Sequence, residues 1–160
     1  MAAAFDHSAP IINRSAREHH CFGCGTSNDI GLQLAFRRSP AGVWAELCPD
    51  RRYEGYVGMV HGGVLSAMLD EAMSWAITVD GDFAVTARLN TSFRQPARIG
   101  RLLRVEGRVV QVRKRLIDTA AFITDIEASE VVAAAEGRFM RVSAAQADAW
   151  RHEYLDSRRD

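Results

Sequence analysis

The chain has 160 residues, of which 48% are hydrophobic and 25% are charged, values typical of one globular domain with a single core. Its 20 basic and 20 acidic side chains cancel, which argues against binding to nucleic acid or to an anionic membrane through overall charge. Three cysteines do not suggest a disulfide framework, and the N-terminus lacks the pattern of a secretory signal, so we expect a cytoplasmic protein with reduced thiols.

The N-terminal part is predicted to contain an arm and a hairpin. Residues 1–14 show no hydrophobic period, which favours a flexible arm. From Gly31 onward, apolar and polar residues alternate on both sides of a turn at residues 39–42. The alternating apolar positions are Leu32, Leu34, Phe36, Val43, Ala45 and Leu47. This alternation predicts a β-hairpin.

A long helix is predicted over residues 62–79. From Val64 onward, apolar side chains cover nearly its whole circumference, so the helix should be buried on most sides. The preceding segment, residues 51–63, contains four glycines and predicts irregular backbone that can approach a ligand closely.

After Gly81 the hydrophobic period returns to two and predicts four strands joined by short turns, followed by a polar helix at residues 144–157. The strands cover about residues 85–93, 103–109, 117–123 and 131–142. This order predicts an α+β fold in which one antiparallel sheet of about six strands wraps one long central helix. The domain is assigned to residues 15–143, and residues 144–160 form a C-terminal helix or tail.

Two acidic residues, Asp70 and Glu71, interrupt the apolar helix. Burial of a charged carboxylate costs free energy. An acid in an apolar cleft is also typical of a general base or nucleophile, so a catalytic role is favoured here. The alternative is that both carboxylates reach a groove edge or a subunit seam and only solubilise it.

The start of the helix reads His61-Gly62-Gly63. Backbone N–H groups lack intrahelical partners there and the helix dipole is positive, which suits an oxyanion. The alternative is a junction that needs glycine for its backbone angles. Since Gly62 and Asp70 are roughly 12 Å apart along one helix, a shared active site requires two antiparallel helices from a two-fold dimer.

The segment from His61 to Asp70, HGGVLSAMLD, resembles the central helix of hotdog thioesterases of the phenylacetate-degradation (PaaI-like) type. Cys21-Phe22-Gly23-Cys24-Gly25 with Gly31-Leu32, and Phe93-Arg94-Gln95-Pro96 with Gly100, extend the resemblance over most of residues 21–142. The resemblance implies a hotdog fold and the hydrolysis of an acyl-CoA thioester.

The resemblance also implies residue roles. Asp70 would be the nucleophile or general base, and the Gly62 N–H would polarise the thioester carbonyl. Thr86 would orient the attacking water; the alternative is that Thr86 is a strand residue without a catalytic role. His61 is a supporting member of this site. Related enzymes often carry an amide side chain six residues before the histidine, where this chain has Gly55 with Glu54 beside it. We assign Gly63, Gly55, Glu54, Arg94 and Arg115 to substrate binding.

Positive charge is enriched in the second half of the chain, and Arg94 and Arg115 are candidates for contacts with coenzyme A phosphates. Cys21 and Cys24 follow two histidines, but four ligands within six residues can hardly surround one zinc ion. Small buried thiols are therefore preferred, and neither a metal nor a cofactor is expected.

The sequence thus predicts an acyl-CoA thioesterase that acts as a homodimer or a dimer of dimers, with no nucleic-acid or membrane partner. One alternative is a non-catalytic acyl-CoA-binding hotdog module. Another is a hotdog hydratase or dehydratase that uses His61 with Asp70 or Glu71.

Overall fold

The computed structural model describes residues 5–14 and 18–155. In chain order its elements are β1 (Arg37–Ser39), β2 (Gly42–Leu47), a 3-10 turn (Arg51–Tyr53), α1 (Gly62–Thr78), β3 (Ala84–Phe93), β4 (Leu103–Val112), β5 (Leu116–Asp125), β6 (Glu130–Arg141) and α2 (Ala144–Tyr154). The six strands form one antiparallel sheet in the order β1-β2-β4-β5-β6-β3, and α1 packs on it. The predicted α+β class is confirmed.

The helix α1 forms the centre of the core. Its apolar side chains are fully buried along most of its length, including Met68, Leu69, Met73 and Ile77. Burial of each such side chain contributes roughly 1.5–3 kcal/mol. The observed span agrees with the predicted helix at residues 62–79.

Direct backbone contact fixes the position of α1 on the sheet. A Cβ atom added at Gly107 of β4 would lie 2.3 Å from the carbonyl oxygen of Ala72 in α1. Because no side chain fits between these two backbones, glycine at position 107 lets the helix approach the strand closely.

Strand β3 lies at one edge of the sheet, and in the described part of the chain it pairs with β6 alone. It carries two large apolar side chains that face solvent in the single chain, Val85 at 48% and Phe93 at 55% exposure. An edge strand of this kind presents unpaired backbone groups to which a second strand can bond.

The first strand of the predicted hairpin begins later than the alternation suggests. Residues 32–36 are buried, except for Gln33 and Ala35, but β1 starts only at Arg37. The Leu32 and Leu34 N–H groups donate to the carbonyl oxygens of Phe22 and Gly23, at 2.7 and 2.9 Å. The hairpin prediction would pair these N–H groups with β2, but in the structure they bond to the loop at residues 22–23 instead.

The two ends of the described chain pack against the sheet and against the residue that precedes β3. In the predicted arm, the Phe5 and His7 rings pack edge-on against Trp44, at 5.3 and 5.0 Å between ring centroids. At the other end, Trp150 of α2 packs against Phe83. Residues 1–4, 15–17 and 156–160 lie outside the described residues, so the division into arm, domain and tail stays a prediction.

The described part of the chain contains no helix that is both long and apolar enough to cross a membrane.

Candidate active site

Asp70 lies in the middle of α1 and faces the edge strand β3. Its Oδ1 accepts a 2.7 Å hydrogen bond from the Thr86 hydroxyl. Burial raises the pKa of Asp70 above its usual value, and the bond from Thr86 opposes this rise because it stabilises the charged form. The structure therefore brings together two of the predicted catalytic residues between α1 and β3, with Asp70 half-buried and Thr86 exposed.

The start of α1 is held by His61, which is the N-cap residue. Its Nδ1 accepts a 2.9 Å hydrogen bond from the Gly63 N–H, and its carbonyl oxygen accepts from Val64 and Leu65. The cap does not use the N–H of Gly62, the first residue of the helix. Gly62 therefore remains the donor suited to an oxyanion, whereas the Gly63 N–H is engaged by the cap.

An open cleft of about 700 Å³ lies beside this helix start. Five of the predicted site residues line it: Glu54, Gly55, His61, Gly62 and Arg94. Phe93 forms another wall, with its ring 3.4 Å from the point where a Gly62 Cβ would lie. The sequence positions around the helix start thus form one concave surface.

Glu54 and Gly55 stand where related enzymes often have an amide side chain. The Glu54 carboxylate accepts a 2.6 Å hydrogen bond from the Gly58 N–H and so stabilises its own loop. A Cβ atom at Gly55 would lie 3.1 Å from the His61 Cα, so this position packs tightly against the helix cap. In the single chain, Glu54 acts on the loop that shapes the cleft.

The predicted residues therefore fall into two groups, the cleft at the helix start and the Asp70–Thr86 pair. Eight residues of helix separate Gly62 from Asp70 by roughly 12 Å. Arg94 directly follows the C-terminal end of β3. Arg115 lies near the opposite end of β3: it is in the β4–β5 turn, and its carbonyl oxygen accepts a hydrogen bond from the Arg141 N–H, next to the start of β3. One protomer does not bring the two groups together.

Glu71 does not take part in the Asp70–Thr86 hydrogen bond but belongs to a cluster that sequence reasoning missed. Both of its carboxylate oxygens lie 3.5 Å from the Cys21 sulfur, and the Trp75 Nε1–H donates to Oε1 at 3.2 Å and to the Cys24 sulfur at 3.3 Å. Cys21 and Glu71 are 50 positions apart, so no local spacing indicates their contact. The ligand atoms of Cys21, Cys24 and Glu71 lie within 4.8 Å of one another, an arrangement that suits a metal ion.

Burial and the contact between the two cysteines shift the pKa values of this cluster. Burial raises the pKa of Glu71 to about 8. A hydrogen bond with Cys24 lowers the pKa of the Cys21 thiol to about 5, and the backbone N–H groups of Cys24 and Gly23 act in the same direction. The bond with Cys21, together with burial, raises the pKa of Cys24. These directions favour a charged Cys21 sulfur beside a Glu71 carboxyl group that burial keeps neutral.

Two sequence comparisons match the central part of the chain. The model of the Thioesterase superfamily matches residues 57–132, which run from the loop before α1 into β6. An uncharacterised protein of Schizosaccharomyces pombe is 30% identical over 94 residues, which cover 56% of this chain and 54% of that protein. The match thus spans about half the length of this curated relative.

Solved structures match over more of the chain. The crystal structure of a thioesterase superfamily protein has a TM-score of 0.71 and 28% identity, and the match covers 76% of this chain and 63% of that one. A Streptococcus mutans protein, solved bound to acetyl CoA, has a TM-score of 0.64 and 19% identity, with coverage of 69% and 89%. The second likeness concerns the fold alone.

These matches confirm the resemblance that the HGG helix indicated. The chain is a hotdog-fold protein, similar in fold and in sequence across α1 and the following strands to the proteins of the thioesterase superfamily. The phenylacetate-degradation subtype stays a prediction.

Proposed function

We propose that this protein is an acyl-CoA thioesterase with an active site shared between two protomers. The observation that carries the proposal is the Asp70 carboxylate, which is half-buried on an apolar helix and bonded to Thr86 beside an exposed edge strand. A carboxylate in such surroundings is suited to act as a base or nucleophile. The similarity to the thioesterase superfamily supports a thioester as the substrate.

In the proposed reaction, Asp70 either attacks the thioester carbonyl carbon or removes a proton from the water that attacks it. The C–S bond then breaks, and the CoA sulfur leaves and takes up a proton. In the nucleophilic route, water then hydrolyses the mixed anhydride on Asp70, which releases the acid and restores the carboxylate. The Thr86 hydroxyl donates its hydrogen to Asp70, so its oxygen keeps lone pairs that accept a hydrogen bond from water. Thr86 therefore orients the water next to the base.

The oxyanion that forms on the carbonyl oxygen needs a donor within about 3 Å. The Gly62 N–H at the start of α1 is suited to this, because the helix dipole adds to its positive character. It lies roughly 12 Å from Asp70 of the same chain, so the donor comes from the second protomer. Two exposed apolar side chains on the edge strand β3, Val85 and Phe93, support this arrangement. Pairing of two β3 edges about a two-fold axis would cover both of them.

The cleft at the helix start is the proposed binding surface for the acyl-CoA. Arg94 lines it and would contact a phosphate of coenzyme A. Antiparallel pairing of β3 strands brings opposite strand ends side by side, so Arg115 of one protomer would approach the Arg94 end of its partner. Binding of acetyl CoA by the Streptococcus mutans protein agrees with this class of ligand. The homodimer, or a dimer of dimers, would act in the cytoplasm.

The proposal is tested with a panel of acyl-CoA thioesters scored by the release of free thiol. Asp70→Asn keeps the shape of the side chain and removes its charge, so turnover should fall by at least about 100-fold while the dimer remains. Asp148→Asn is the matched control on the exposed helix α2 and should leave turnover unchanged. Turnover that survives in Asp70→Asn contradicts the assignment.

The shared site has a separate test. Gly62→Pro removes the proposed oxyanion donor at the first helical position, where proline is well tolerated. The extended backbone of His61 is also compatible with a following proline. Equal mixing of inactive Asp70→Asn and Gly62→Pro chains makes half of the dimers mixed, each with one intact site, so about a quarter of the wild-type activity should return. No recovery after proven subunit exchange argues for a site within one chain.

A further inference from the structure

The cluster of Cys21, Cys24 and Glu71 has no part in the proposed hydrolysis. Its three ligand atoms lie within 4.8 Å of one another, and the Cys21 sulfur is 3.5 Å from both Glu71 oxygens. A tetrahedral zinc ion with bonds of about 2.0–2.3 Å holds its ligands roughly 3.3–3.8 Å apart. The cluster therefore needs only small side-chain shifts to surround one ion.

The loop at residues 21–25 is shaped to bring both sulfurs to one point. It closes through a 2.9 Å hydrogen bond from the Gly25 N–H to the Cys21 carbonyl oxygen. It places the Cys21 and Cys24 sulfurs within 4.8 Å of each other. A C-x-x-C spacing commonly supplies two sulfur ligands to one zinc ion.

Glycine is required where this loop meets α1. A Cβ atom at Gly23 would lie 2.5 Å from the carboxyl carbon of Glu71, and one at Gly25 would lie 2.4 Å from the His19 carbonyl oxygen. Gly23 thus lets the loop lie against the Glu71 side chain, and Gly25 lets the turn close tightly on its own backbone. Two independent features, the turn and its contact with the helix, converge on the same three ligand atoms.

The charge balance of the cluster also suits a cation. Among the described residues, no arginine or lysine forms an ion pair with the Glu71 carboxyl group. Two thiols and a carboxyl group in a buried site compete for protons, and a divalent ion would replace those protons and neutralise the ligands. The Trp75 Nε1–H, which bonds both Glu71 and Cys24, would orient two ligands as an outer partner.

We propose that Cys21, Cys24 and Glu71 bind one thiophilic divalent cation, with Zn²⁺ as the expected ion. The ion ties the 21–25 loop to the middle of α1, one residue after Asp70. The three proposed ligands line a cavity of about 290 Å³, together with residues that include Ser74, Thr86 and Tyr154. The fourth coordination position of the ion would face this cavity. An exchangeable ligand such as water occupies that position, as in zinc sites that have three protein ligands.

The test uses the full chain, purified with a reductant and titrated with Co²⁺ and then with Zn²⁺. One equivalent of Co²⁺ should bind and give both the visible bands of a four-coordinate ion and the near-ultraviolet band of thiolate ligation. Zn²⁺ should displace it at one equivalent. Oxidation of the thiols should abolish uptake, and reduction should restore it.

Variants assign the ligands. Loss of an outer partner costs about 10–100-fold in metal affinity, so Cys24→Ser and Glu71→Gln, which remove ligands, should lose at least that much. Cys48→Ser is the matched control, because Cys48 is exposed and outside the cluster. Far-ultraviolet circular dichroism checks that each variant is folded.

Two results would overturn the proposal. One is a reduced wild-type chain that takes up Co²⁺ only in substoichiometric amounts or without the thiolate band. The other is an equal loss of affinity in Cys48→Ser. Neither measurement depends on turnover, so failure of the metal site and failure of the thioesterase assignment are distinguishable.

Discussion

The Thr86 hydroxyl donates a 2.7 Å hydrogen bond to Oδ1 of Asp70, although the two residues are 16 positions apart. This bond links the middle of α1 to the edge strand β3. It also opposes the effect of burial on Asp70, because burial favours the neutral acid and the hydroxyl favours the carboxylate. The pair thus keeps a half-buried acid available as a base.

Thr86→Val should lower turnover and change its pH dependence. A base works only in its charged form, so activity falls as pH drops through the pKa of Asp70. Loss of the hydroxyl removes an effect that lowers this pKa, so the acid limb of kcat against pH should move to higher pH. Because Thr86 also orients the attacking water in the proposed reaction, its loss should lower kcat by about tenfold or more.

Thr86→Ser is the control for that prediction, since it keeps a hydroxyl at the same position. Its acid limb should coincide with that of the wild type. An acid limb that stays in place in Thr86→Val would show that Thr86 has no influence on the ionisation that limits turnover.

Gly107→Ala should destabilise the fold and displace α1. The added Cβ would lie 2.3 Å from the Ala72 carbonyl oxygen, and a helix backbone cannot move aside as a flexible side chain can. Overpacking of this kind costs about 1–3 kcal/mol of unfolding free energy. Urea unfolding measures the loss, and turnover should fall with it because α1 carries Asp70.

The exposed neighbour of Gly107 provides the control. Arg108→Ala should change the unfolding free energy by no more than about 0.5 kcal/mol, as is usual for surface substitutions. Equal stability of Gly107→Ala and the wild type would contradict the close packing of α1 on β4.

Val85→Lys should weaken the proposed dimer. Val85 is 48% exposed on the edge strand β3, where a charged side chain would be brought against the partner. Val110→Lys is the matched control, because Val110 is 59% exposed on β4, an interior strand of the sheet. Sedimentation analysis should show dissociation of Val85→Lys at concentrations where Val110→Lys remains dimeric. The reverse order would place the interface elsewhere.

The extent of prediction from sequence differs between the candidate active site and the cluster of Cys21, Cys24 and Glu71. The Asp70 and Gly62 positions follow from one contiguous motif on a helix, so helical geometry already predicts their separation. The contact of Glu71 with Cys21 and Cys24 depends on how the 21–25 loop packs against α1. Because 50 residues separate Cys21 from Glu71, residue spacing pointed only to the neighbouring histidines and not to the acid.

The first strand shows the same limit in the fold. Alternation correctly predicts that Leu32, Leu34 and Phe36 are buried. It does not reveal that Asn13 bonds the Leu34 carbonyl oxygen and the Phe36 N–H, at 2.7 and 2.8 Å. A period of two reports which side chains are buried, whereas the partner of the backbone groups is set by segments distant in sequence.

Asp125 should make a contribution to stability that is lost in acid. It is only 5% exposed, and Arg101 donates to its Oδ1 at 2.9 Å while the Ala128 N–H donates at 3.1 Å. Burial acts to raise the pKa of Asp125, but these donors outweigh burial and hold the pKa below its usual value. A carboxyl group with a lowered folded-state pKa stabilises the protein above its unfolded-state pKa, which is about 3.9.

Asp125→Asn should therefore lower the free energy of unfolding at pH 7, by roughly 1–3 kcal/mol, because hydrogen bonds to a buried charge are lost. The difference from the wild type should shrink as pH falls from about 4 through the lowered folded-state pKa, since the native carboxylate itself becomes protonated there. Urea unfolding at a series of pH values measures this difference. Asp148→Asn, which removes an exposed carboxylate on α2, should show little difference at any pH. A difference for Asp125→Asn that does not change with pH would mean that its effect comes from packing and not from charge.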